Sequence, residues 1–551
     1  MKNLLSAVCA GLFCTLPLSA EAAPISADRI AGHVQILASD AFEGRAPASA
    51  GEEKTVAYIA RAFADAGLEP GGDVKQGVRQ WTQDVPLARF SIRGPVSAQA
   101  KTPGGVVALR QGEDVAFRAA ATGARDVSIK DAPMVFAGYG VVAPERNWDD
   151  FKGLDVRGKI ILVLVNDPDF ETPAGGAFGG RAMTYYGRWT YKYEEAARQG
   201  ALGVLVIHET EPAAYGWATV RNSNTAPIFD IIRKDPAGAH ALLEGWIQRD
   251  AARDLLARAG LDLESLKVQA RRPDFKPVEL AGVSFAATYG VEVEQIVSQN
   301  VVGRLAGTER PDETIIYTSH WDHLGFGEPD ASGDRIYNGA VDNADGVAAM
   351  IEIARSFAAG PRPARSVVFL AVTAEEKGLL GSEYYAANPL YPLATTVANI
   401  NMDALSPAGA ARDFSIAGSA SLTLLDDLVA LGESRGRRFS PDSRPEAGSF
   451  FRSDHFPFAK RGVPAISFGS GEDLLNGGRA AGAAWERTYV AERYHQPSDE
   501  YDSSWNLDGV VQDAELLRDL GDKLARSRDW PRWKGDSEFA PIRAASDEAR
   551  R

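Results

Sequence analysis

Cysteine is almost absent from this sequence. The 551 residues include only two cysteines, Cys9 and Cys14, and both lie close to the N-terminus. The rest of the chain therefore has no thiol for a disulfide bond and no thiolate for a structural zinc site of the cysteine-rich type. A metal centre in this chain would have to be built from imidazole and carboxylate groups.

Positive charge and long apolar runs are also lacking. The chain carries 59 Lys+Arg against 74 Asp+Glu, for a formal net charge of −15. This balance argues against a nucleic-acid partner, which requires a basic surface to replace phosphate counterions. It also argues against polybasic attachment to anionic lipid. Beyond the N-terminal run described next, no segment is long and apolar enough to span a membrane, so stable membrane insertion is not predicted.

The first 22 residues have the pattern of a secretory signal peptide. Lys2 supplies the positive n-region, Leu4 to Leu18 is a short apolar run, and residues 20–22 form an A-x-A cleavage site. The apolar run is shorter than the ~20 residues that a membrane-spanning helix needs. The sequence therefore predicts a periplasmic or secreted protein, with Ala23 as its first residue after cleavage.

The remaining chain divides into sections of different composition. Residues 23–132 begin with two amphipathic stretches, separated by a break at 39–45, and continue as strands and loops rich in Gly, Ala and Val. Residues 133–275 are predicted to form a compact β-rich unit, in which no acids and histidines have catalytic spacing. Residues 276–530 alternate strands with helices. Residues 531–551 form a charged tail that we expect to be solvated.

The section 276–530 has the pattern of a mostly parallel sheet with helices on both faces. Ser366–Thr373 and Val397–Met402 are continuous apolar runs, as expected for strands that are covered on both sides. Ala344–Ala358 carries apolar residues near helical spacing. Strands that alternate with helices form βαβ units. The sequence therefore predicts an α/β fold whose ligand site lies at the carboxyl ends of the strands.

Acids and histidines cluster where the predicted strands end. Taken singly, each has an ordinary explanation, since an Asp ahead of a helix is often an N-cap and a pair of glutamates is often solvated. Taken together they suit a divalent metal, because burying adjacent glutamates at a sheet edge is costly without a cation. The residues are His320, Asp322, Asp342, Glu375, Glu376, Asp403 and His495.

The donor types favour two zinc ions. Imidazole and carboxylate together are a good zinc set, and a carboxylate that bridges two metals holds them ~3.5–4 Å apart, which suits a shared hydroxide nucleophile. Neighbouring side chains such as Glu375 and Glu376 point in different directions. One of them can therefore bind metal while the other accepts a proton from the water.

Six runs of residues carry a resemblance to a known family. The runs are Ser319–Gly325 (SHWDHLG), Asp342–Gly346 (DNADG), Ala374–Ser382 (AEEKGLLGS), Asn401–Asp403 (NMD), Arg452–Phe458 (RSDHFPF) and Tyr494–Asp499 (YHQPSD). In order and spacing they resemble the co-catalytic di-zinc exopeptidases of metallopeptidase family 28, which include bacterial leucyl aminopeptidase, glutamate carboxypeptidase II and glutaminyl cyclase. The resemblance implies the zinc-exopeptidase fold, peptide substrates and two Zn²⁺ ions per chain.

The resemblance also implies the zinc ligands. His323 and His455 lie within the matching runs and compete as ligands, but the family pattern favours His320 and His495. The implied sets are His320, Asp342 and Asp403 for one ion, and Glu376, His495 and the shared Asp342 for the other.

Other site residues receive supporting roles from the same resemblance. Glu375 would be the general base and later the general acid, and Asp322 would orient His320 through its second ring nitrogen. Asp454 would give similar support near His495. Asp345 departs from the family, which often has a small residue at that place.

Two further stretches resemble parts of the same family. Residues 133–275 resemble a protease-associated domain, an insertion that many members carry, and Phe151–Lys159 carries this likeness. Phe42–Arg45, with the helix after it, resembles the N-terminal part of the peptidase domain. The insertion is therefore predicted to split the catalytic domain into residues 23–132 and 276–530.

An exported di-zinc aminopeptidase is the leading hypothesis. A glutamate-type carboxypeptidase and a glutaminyl-cyclase-like acyl transferase remain open on the same site, and so does an inactive peptide-binding module. Cleavage at a free N-terminus is favoured because Arg452, close to a matched run, and Arg335, in the loop before Asp342, are scattered and form a weak carboxylate clamp. Glu446 is one candidate for binding the substrate ammonium. The oligomeric state is left open.

Overall fold

The computed structural model describes residues 22–172, 176–535 and 537–550. The predicted signal peptide lies outside these residues, except for residue 22. In the described ranges, no helix combines the length and apolar character needed to cross a membrane.

The described chain begins with two helices, continues with strands and 3-10 turns as far as residue 187, and then largely alternates helices with strands. The helices span Ala27–Leu37, Ala50–Asp65, Trp189–Arg198, Thr210–Ala213, Trp217–Thr225, Pro236–Ala239, Arg249–Arg258, Leu263–Ala270, Asp345–Ala359, Leu380–Ala387, Thr423–Ser434, Phe456–Ala459, Gly478–Glu492, Asp508–Arg526 and Ala540–Ala544. The strands of the large sheet span Glu69–Pro70, Thr82–Thr102, Gly105–Ala108, Val115–Phe117, Asp126–Phe136, Ile160–Leu164, Gly203–His208, Ile228–Ile231, Leu243–Gln248, Val278–Leu305, Arg310–His320, Arg365–Val372, Thr396–Met402, Asp413–Ile416, Arg438–Phe439 and Ala465–Gly469.

The part of the sheet that carries the site is mostly parallel. Arg310–His320 runs parallel to Arg365–Val372 on one side and to Thr396–Met402 on the other, and Ala465–Gly469 continues the parallel order. Every residue of Arg365–Val372 and Thr396–Met402 is buried. Both faces of these strands are therefore covered, which explains their continuous apolar sequences. The predicted α/β fold with a mostly parallel sheet is confirmed.

One long strand joins the two halves of the sheet. Val278–Leu305 pairs antiparallel with Thr82–Thr102 along most of its length. It also pairs with Asp126–Phe136 near its start and with Arg365–Val372 near its end. The sheet is thus continuous between the two predicted domains, and the predicted boundary at residue 132 falls inside a strand. The division into domains itself stays a prediction.

Residues 133–275 contain more helix than the predicted β-rich unit. The parallel strands Ile160–Leu164, Gly203–His208 and Leu243–Gln248 form the centre of this part. Helices such as Trp189–Arg198 and Arg249–Arg258 alternate with them in sequence. Because these strands are buried almost throughout, their faces need helical cover.

The C-terminal tail is only partly solvated: many of its described residues are exposed, as predicted, but several others anchor it to the core. Trp533 and Phe539 are 8% and 4% exposed, and their ring centroids lie 4.9 Å apart. The Arg543 guanidinium donates hydrogen bonds to the backbone carbonyls of Leu393 (3.1 Å) and Thr396 (2.8 Å). The many charges of the tail concealed these anchors, since only a few apolar side chains between them pack against the core.

Candidate metal centre

The predicted site residues converge at one edge of the sheet, where the parallel strands end. The strands place His320 at the end of Arg310–His320, Glu375 and Glu376 shortly after Arg365–Val372, and Asp403 directly after Thr396–Met402. Two loops beside helices supply Asp342, shortly before Asp345–Ala359, and His495, shortly after Gly478–Glu492. Side chains that are far apart in sequence therefore face one another, as expected for an open parallel sheet.

His320, Asp342 and Asp403 form the first group of possible ligands. Nε2 of His320 lies 3.2 Å from Oδ1 of Asp342 and 3.2 Å from Oδ1 of Asp403. The three donor atoms lie within 4.8 Å of one another. Ser453 holds the other oxygen of Asp403, because its hydroxyl donates a hydrogen bond to Oδ2 at 2.6 Å. This group could hold one metal ion.

Asp342 also faces a second group. Its Oδ2 lies 3.2 Å from Nε2 of His495, and the same nitrogen lies 3.3 Å from Oε2 of Glu376. The two oxygens of Asp342 are thus directed at different histidines, which is the arrangement that a bridging carboxylate requires.

His323 lies in this second group as well, although the family pattern favoured His495. Its Nδ1 is 2.7 Å from Oε1 of Glu376, and the side chain is fully buried. His323, Asp342 and Glu376 also bring three donor atoms within 4.8 Å of one another. The second histidine of SHWDHLG was the signal for this contact, and the structure places both imidazoles beside Glu376.

Burial and charge set the protonation of the two central acids in opposite directions. Burial would raise the pKa of Asp342, but hydrogen bonds with His320 and His495 hold it well below its ordinary value. Burial raises the pKa of Glu375 well above its ordinary value, and the charges of Asp403 and Glu376 add to this rise, while His320 opposes it. Asp342 therefore stays ionised, whereas Glu375 is suited to accept and return a proton.

Asp322 supports its neighbours differently from the prediction. His320 donates from Nδ1 to the backbone carbonyl of Asp322 at 3.1 Å, while the carboxylate Oδ1 is 3.8 Å from that nitrogen. The carboxylate instead accepts the backbone N–H groups of Glu375 (3.0 Å) and Glu376 (3.4 Å). Burial raises the pKa of Asp322 to about 6. Asp322 thus orients the imidazole through its main chain and holds the glutamate loop through its side chain.

Asp499 is a carboxylate that supports the second group. Asp454 accepts a hydrogen bond from the Ser382 hydroxyl at 2.6 Å, and no hydrogen bond or ion pair among the described residues joins it to His495, so its support of His495 stays a prediction. Asp499 accepts the backbone N–H of Asp342 at 3.1 Å and thereby fixes the loop that carries this residue.

Arg45 is a supporting residue that the sequence did not reveal. Its side chain is 1% exposed, and no carboxylate of the described residues lies within ion-pair distance of it. The guanidinium donates to the backbone carbonyls of Leu37 (2.8 Å), Trp321 (2.8 Å), Asn338 (2.5 Å) and Gly339 (2.8 Å). Three of these carbonyls belong to the loops beside His320 and Asp342. The FEGR run was a signal for an N-terminal motif, but not for a buried cation behind the site.

A cavity of about 420 Å³ opens onto the two groups. Asp342, Glu375, Asp403 and His495 line one end of it. The ring of Tyr494 stacks on His495, with 3.9 Å between the centroids. Glu446, the candidate for binding an ammonium group, is not among the residues that line the cavity, so that candidate is not supported.

Residues 300–517 match the family model described as Peptidase family M28. This segment belongs to peptidase family M28. The M28 segment contains every predicted metal ligand and both predicted catalytic residues, from His320 to His495.

Curated relatives match a short part of the chain. A protein of Pyrenophora teres f. teres (strain 0-1), named "Probable zinc metalloprotease", is 39% identical over 103 residues, which are 19% of this chain and 22% of the relative. Aminopeptidase NAALADL1 of Mus musculus is 34% identical over 129 residues, which are 22% of this chain and 16% of the relative. The chain thus spans about a fifth of the length of these relatives.

Similar solved structures cover nearly the whole chain. An aminopeptidase from Aneurinibacillus sp. strain AM-1 has a TM-score of 0.47 at 20% identity, and the match covers 91% of this chain and 94% of that one. BSAP, a zinc aminopeptidase from Bacillus subtilis, has a TM-score of 0.43 at 18% identity, with 94% and 99% covered.

Proposed function

We propose that this chain is an exported di-zinc aminopeptidase that removes N-terminal residues from peptides. The observation that carries the proposal is the placing of Asp342 between two imidazole–carboxylate groups, with Glu375 in the wall of the adjoining cavity. The match of residues 300–517 to a peptidase family supports peptide hydrolysis as the reaction. Export rests on the signal-peptide pattern of residues 1–22.

The residues present fit two zinc ions. Each group offers imidazole nitrogen and carboxylate oxygen, the donors that zinc accepts in catalytic sites. Within the described residues, Nδ1 of His323 and Oε1 of Glu376 are buried and lie 2.7 Å apart without forming a hydrogen bond, and Nε2 of His323 has no hydrogen-bond partner, as expected where a cation completes the site. His320, Asp342 and Asp403 would hold one ion. Asp342, Glu376 and His495 would hold the other, with His323 beside them.

The chain's own groups then have distinct tasks in peptide hydrolysis. When bound, zinc supplies a water of lowered pKa and polarises the scissile carbonyl. Glu375 lies at the cavity wall with a raised pKa, so it can accept a proton from the attacking water and return it to the leaving amine. The Asp322 carboxylate keeps Glu375 in place by accepting a hydrogen bond from the backbone N–H of Glu375.

We also propose that residues 133–275 are a protease-associated insertion that restricts access to the cavity. Arg188 of this section packs against the loop that carries Arg452. A β-carbon built on Gly448 of that loop would lie 3.5 Å from Cδ of Arg188. The insertion therefore reaches the rim of the proposed substrate site.

One observation favours the glutamate-type carboxypeptidase as a second candidate. Arg452 lines the cavity, and no carboxylate of the described residues lies within ion-pair distance of its guanidinium. Arg188 lies close enough that burial, together with the like charge of Arg452, lowers its pKa to about 10. Arg452 could therefore bind a substrate carboxylate, although Arg188 is not among the residues that line the cavity.

A matched pair of dipeptides separates the two candidates. One has a free amine and an amidated C-terminus, and the other is N-acetylated with a free carboxylate. An aminopeptidase cleaves the first and spares the second. Faster hydrolysis of the acetylated peptide by the zinc-loaded protein would establish the carboxypeptidase instead.

A further inference from the structure

The walls of the cavity beyond the metal groups carry many polar groups among apolar ones. Hydroxyl groups of several serines face it, and those of Ser415, Ser443 and Ser449 make no side-chain hydrogen bond to other described residues. Of the large apolar residues of the wall, Phe414, Ile416 and Phe468 are 0%, 3% and 2% exposed, whereas Tyr494 is 39% exposed. A substrate side chain in this cavity would therefore meet hydroxyl and charged groups that need hydrogen-bond partners.

Some charged side chains of the cavity wall have a partner of opposite charge, and others do not. Asp413 accepts a hydrogen bond from Arg479 at 2.8 Å, so this pair is already neutral. Asp442 and Glu472 also line the cavity, and neither has a basic partner within ion-pair distance among the described residues. The Oδ2 atom of Asp442 is buried and has no hydrogen-bond partner. Among the described residues of this wall, the carboxylates of Asp442 and Glu472 therefore lack a basic partner, and the guanidinium of Arg452 lacks an acidic one.

We infer that this cavity selects peptides whose residue at the scissile bond has a hydrogen-bonding side chain, and that it prefers a cationic side chain to an anionic one. The inference rests on the proposed function and names its substrate class. An aliphatic side chain would displace water from the hydroxyl and carboxylate groups without replacing the lost hydrogen bonds, and sites of this kind discriminate strongly. A lysine side chain would return hydrogen bonds and neutralise Asp442 or Glu472.

The test compares four amino-acid amides that share one leaving group. The zinc-loaded full chain should hydrolyse the lysine and glutamine derivatives with kcat/KM about tenfold or more above the leucine derivative. The lysine derivative should also exceed the glutamate derivative. A leucine derivative that is equal or better overturns the inference. A glutamate derivative that exceeds lysine also overturns it, and assigns the selection to Arg452.

Variants of Asp442 and Glu472 test whether these two carboxylates cause the preference for lysine. Asp442→Asn and Glu472→Gln, alone and together, should lower kcat/KM for the lysine derivative about tenfold, and by more than for the glutamine derivative. Glu433→Gln, an exposed glutamate outside the cavity, is the matched control. Equal losses for lysine and glutamine, or no loss for lysine in the double variant, would overturn the assignment.

A binding measurement tests the side-chain selectivity independently of the proposed hydrolysis. Calorimetry of lysinamide and leucinamide with the zinc-loaded Glu375→Gln variant, which should not hydrolyse them, reports the selection independently of turnover. Lysinamide should bind about tenfold more tightly, and equal or reversed affinities would contradict the inference. Absence of hydrolysis by the wild type with lysinamide selection intact would reject only the proposed function.

Discussion

Glu375 differs from the other acids at the site in its surroundings. Asp342 is held ionised by two imidazoles, whereas burial and the charges of Asp403 and Glu376 raise the pKa of Glu375. The nearest imidazole atom to Glu375, Nε2 of His320, is 4.0 Å away. The residue is therefore placed to exchange a proton rather than to bind a metal ion.

Glu375→Gln should abolish most of the turnover and leave the zinc content near that of the wild type. The amide cannot accept the proton, and a general base typically contributes ~10²–10⁴-fold to kcat. Metal analysis of the purified variant, beside kcat, checks both parts. A variant that has lost zinc would show that the roles of Glu375 and Glu376 are exchanged.

The ligand variants should differ in how much zinc they lose. Asp342→Ala removes a donor from both groups and should lose both ions, whereas His320→Ala and His495→Ala should each lose chiefly one. His323→Ala, the matched imidazole control, should retain more zinc than His495→Ala. If Asp342→Ala keeps two ions, the bridging role is wrong, and if His323→Ala loses more than His495→Ala, the two histidines have been misassigned.

At the scale of elements, the site depends on loops that are held by distant segments. Arg45 hydrogen-bonds to Asn338 across 293 positions of the sequence, and Asp322 holds the glutamate loop across 53 positions. The strand ends were predictable because apolar runs and the residues after them mark a parallel sheet. The hydrogen bonds of Arg45 and Asp322 were not predictable, since sequence spacing does not show which distant carbonyl or N–H group a buried side chain reaches.

Arg45→Met should weaken zinc binding by about tenfold or more, in the range found when outer partners of a metal site are removed. Without the guanidinium, the loops beside His320 and Asp342 lose their common donor. Competition with a chromophoric chelator measures the zinc affinity, and thermal unfolding monitors the fold. Arg45→Lys, which keeps the charge, should retain part of the affinity. A folded Arg45→Met protein with unchanged zinc affinity would contradict this role.

At the scale of the whole molecule, the predicted and observed structures differ where tertiary contacts outweigh composition. The tail was predicted to be solvated because it is charged, but Trp533 and Phe539 anchor it in the core. The section 133–275 was predicted to be β-rich from its buried strands, but helices cover them. The α/β fold and the convergence of the site residues were predictable, since both follow from the order of strands and helices.

The section 133–275 also carries a pH-dependent contribution to stability at His240. Its ring nitrogens lie 3.0 Å from Asp230 and 3.1 Å from Glu244. Burial opposes protonation, but these two carboxylates outweigh it and raise the pKa of His240 to about 9 from 6.5. The stabilisation is therefore fully present below pH ~6.5 and is lost as the pH rises through about 9.

His240→Gln should remove this pH dependence. The raised pKa corresponds to about 3.5 kcal/mol at most, since one pKa unit is about 1.4 kcal/mol. The melting temperature of the wild type, relative to the variant, should fall between pH 6 and 9. His33→Gln is the control, because burial lowers the pKa of His33. A constant difference between wild type and His240→Gln over this range would refute the prediction.

The most direct test of the account is a zinc titration of the metal-free protein against the dipeptide with a free amine and an amidated C-terminus. Calorimetry should show two zinc ions bound per chain, and hydrolysis should reach its full rate as the second site fills. The N-acetylated dipeptide should remain intact throughout. A single zinc ion at full activity, or no hydrolysis of the free-amine peptide at two, would contradict a di-zinc aminopeptidase.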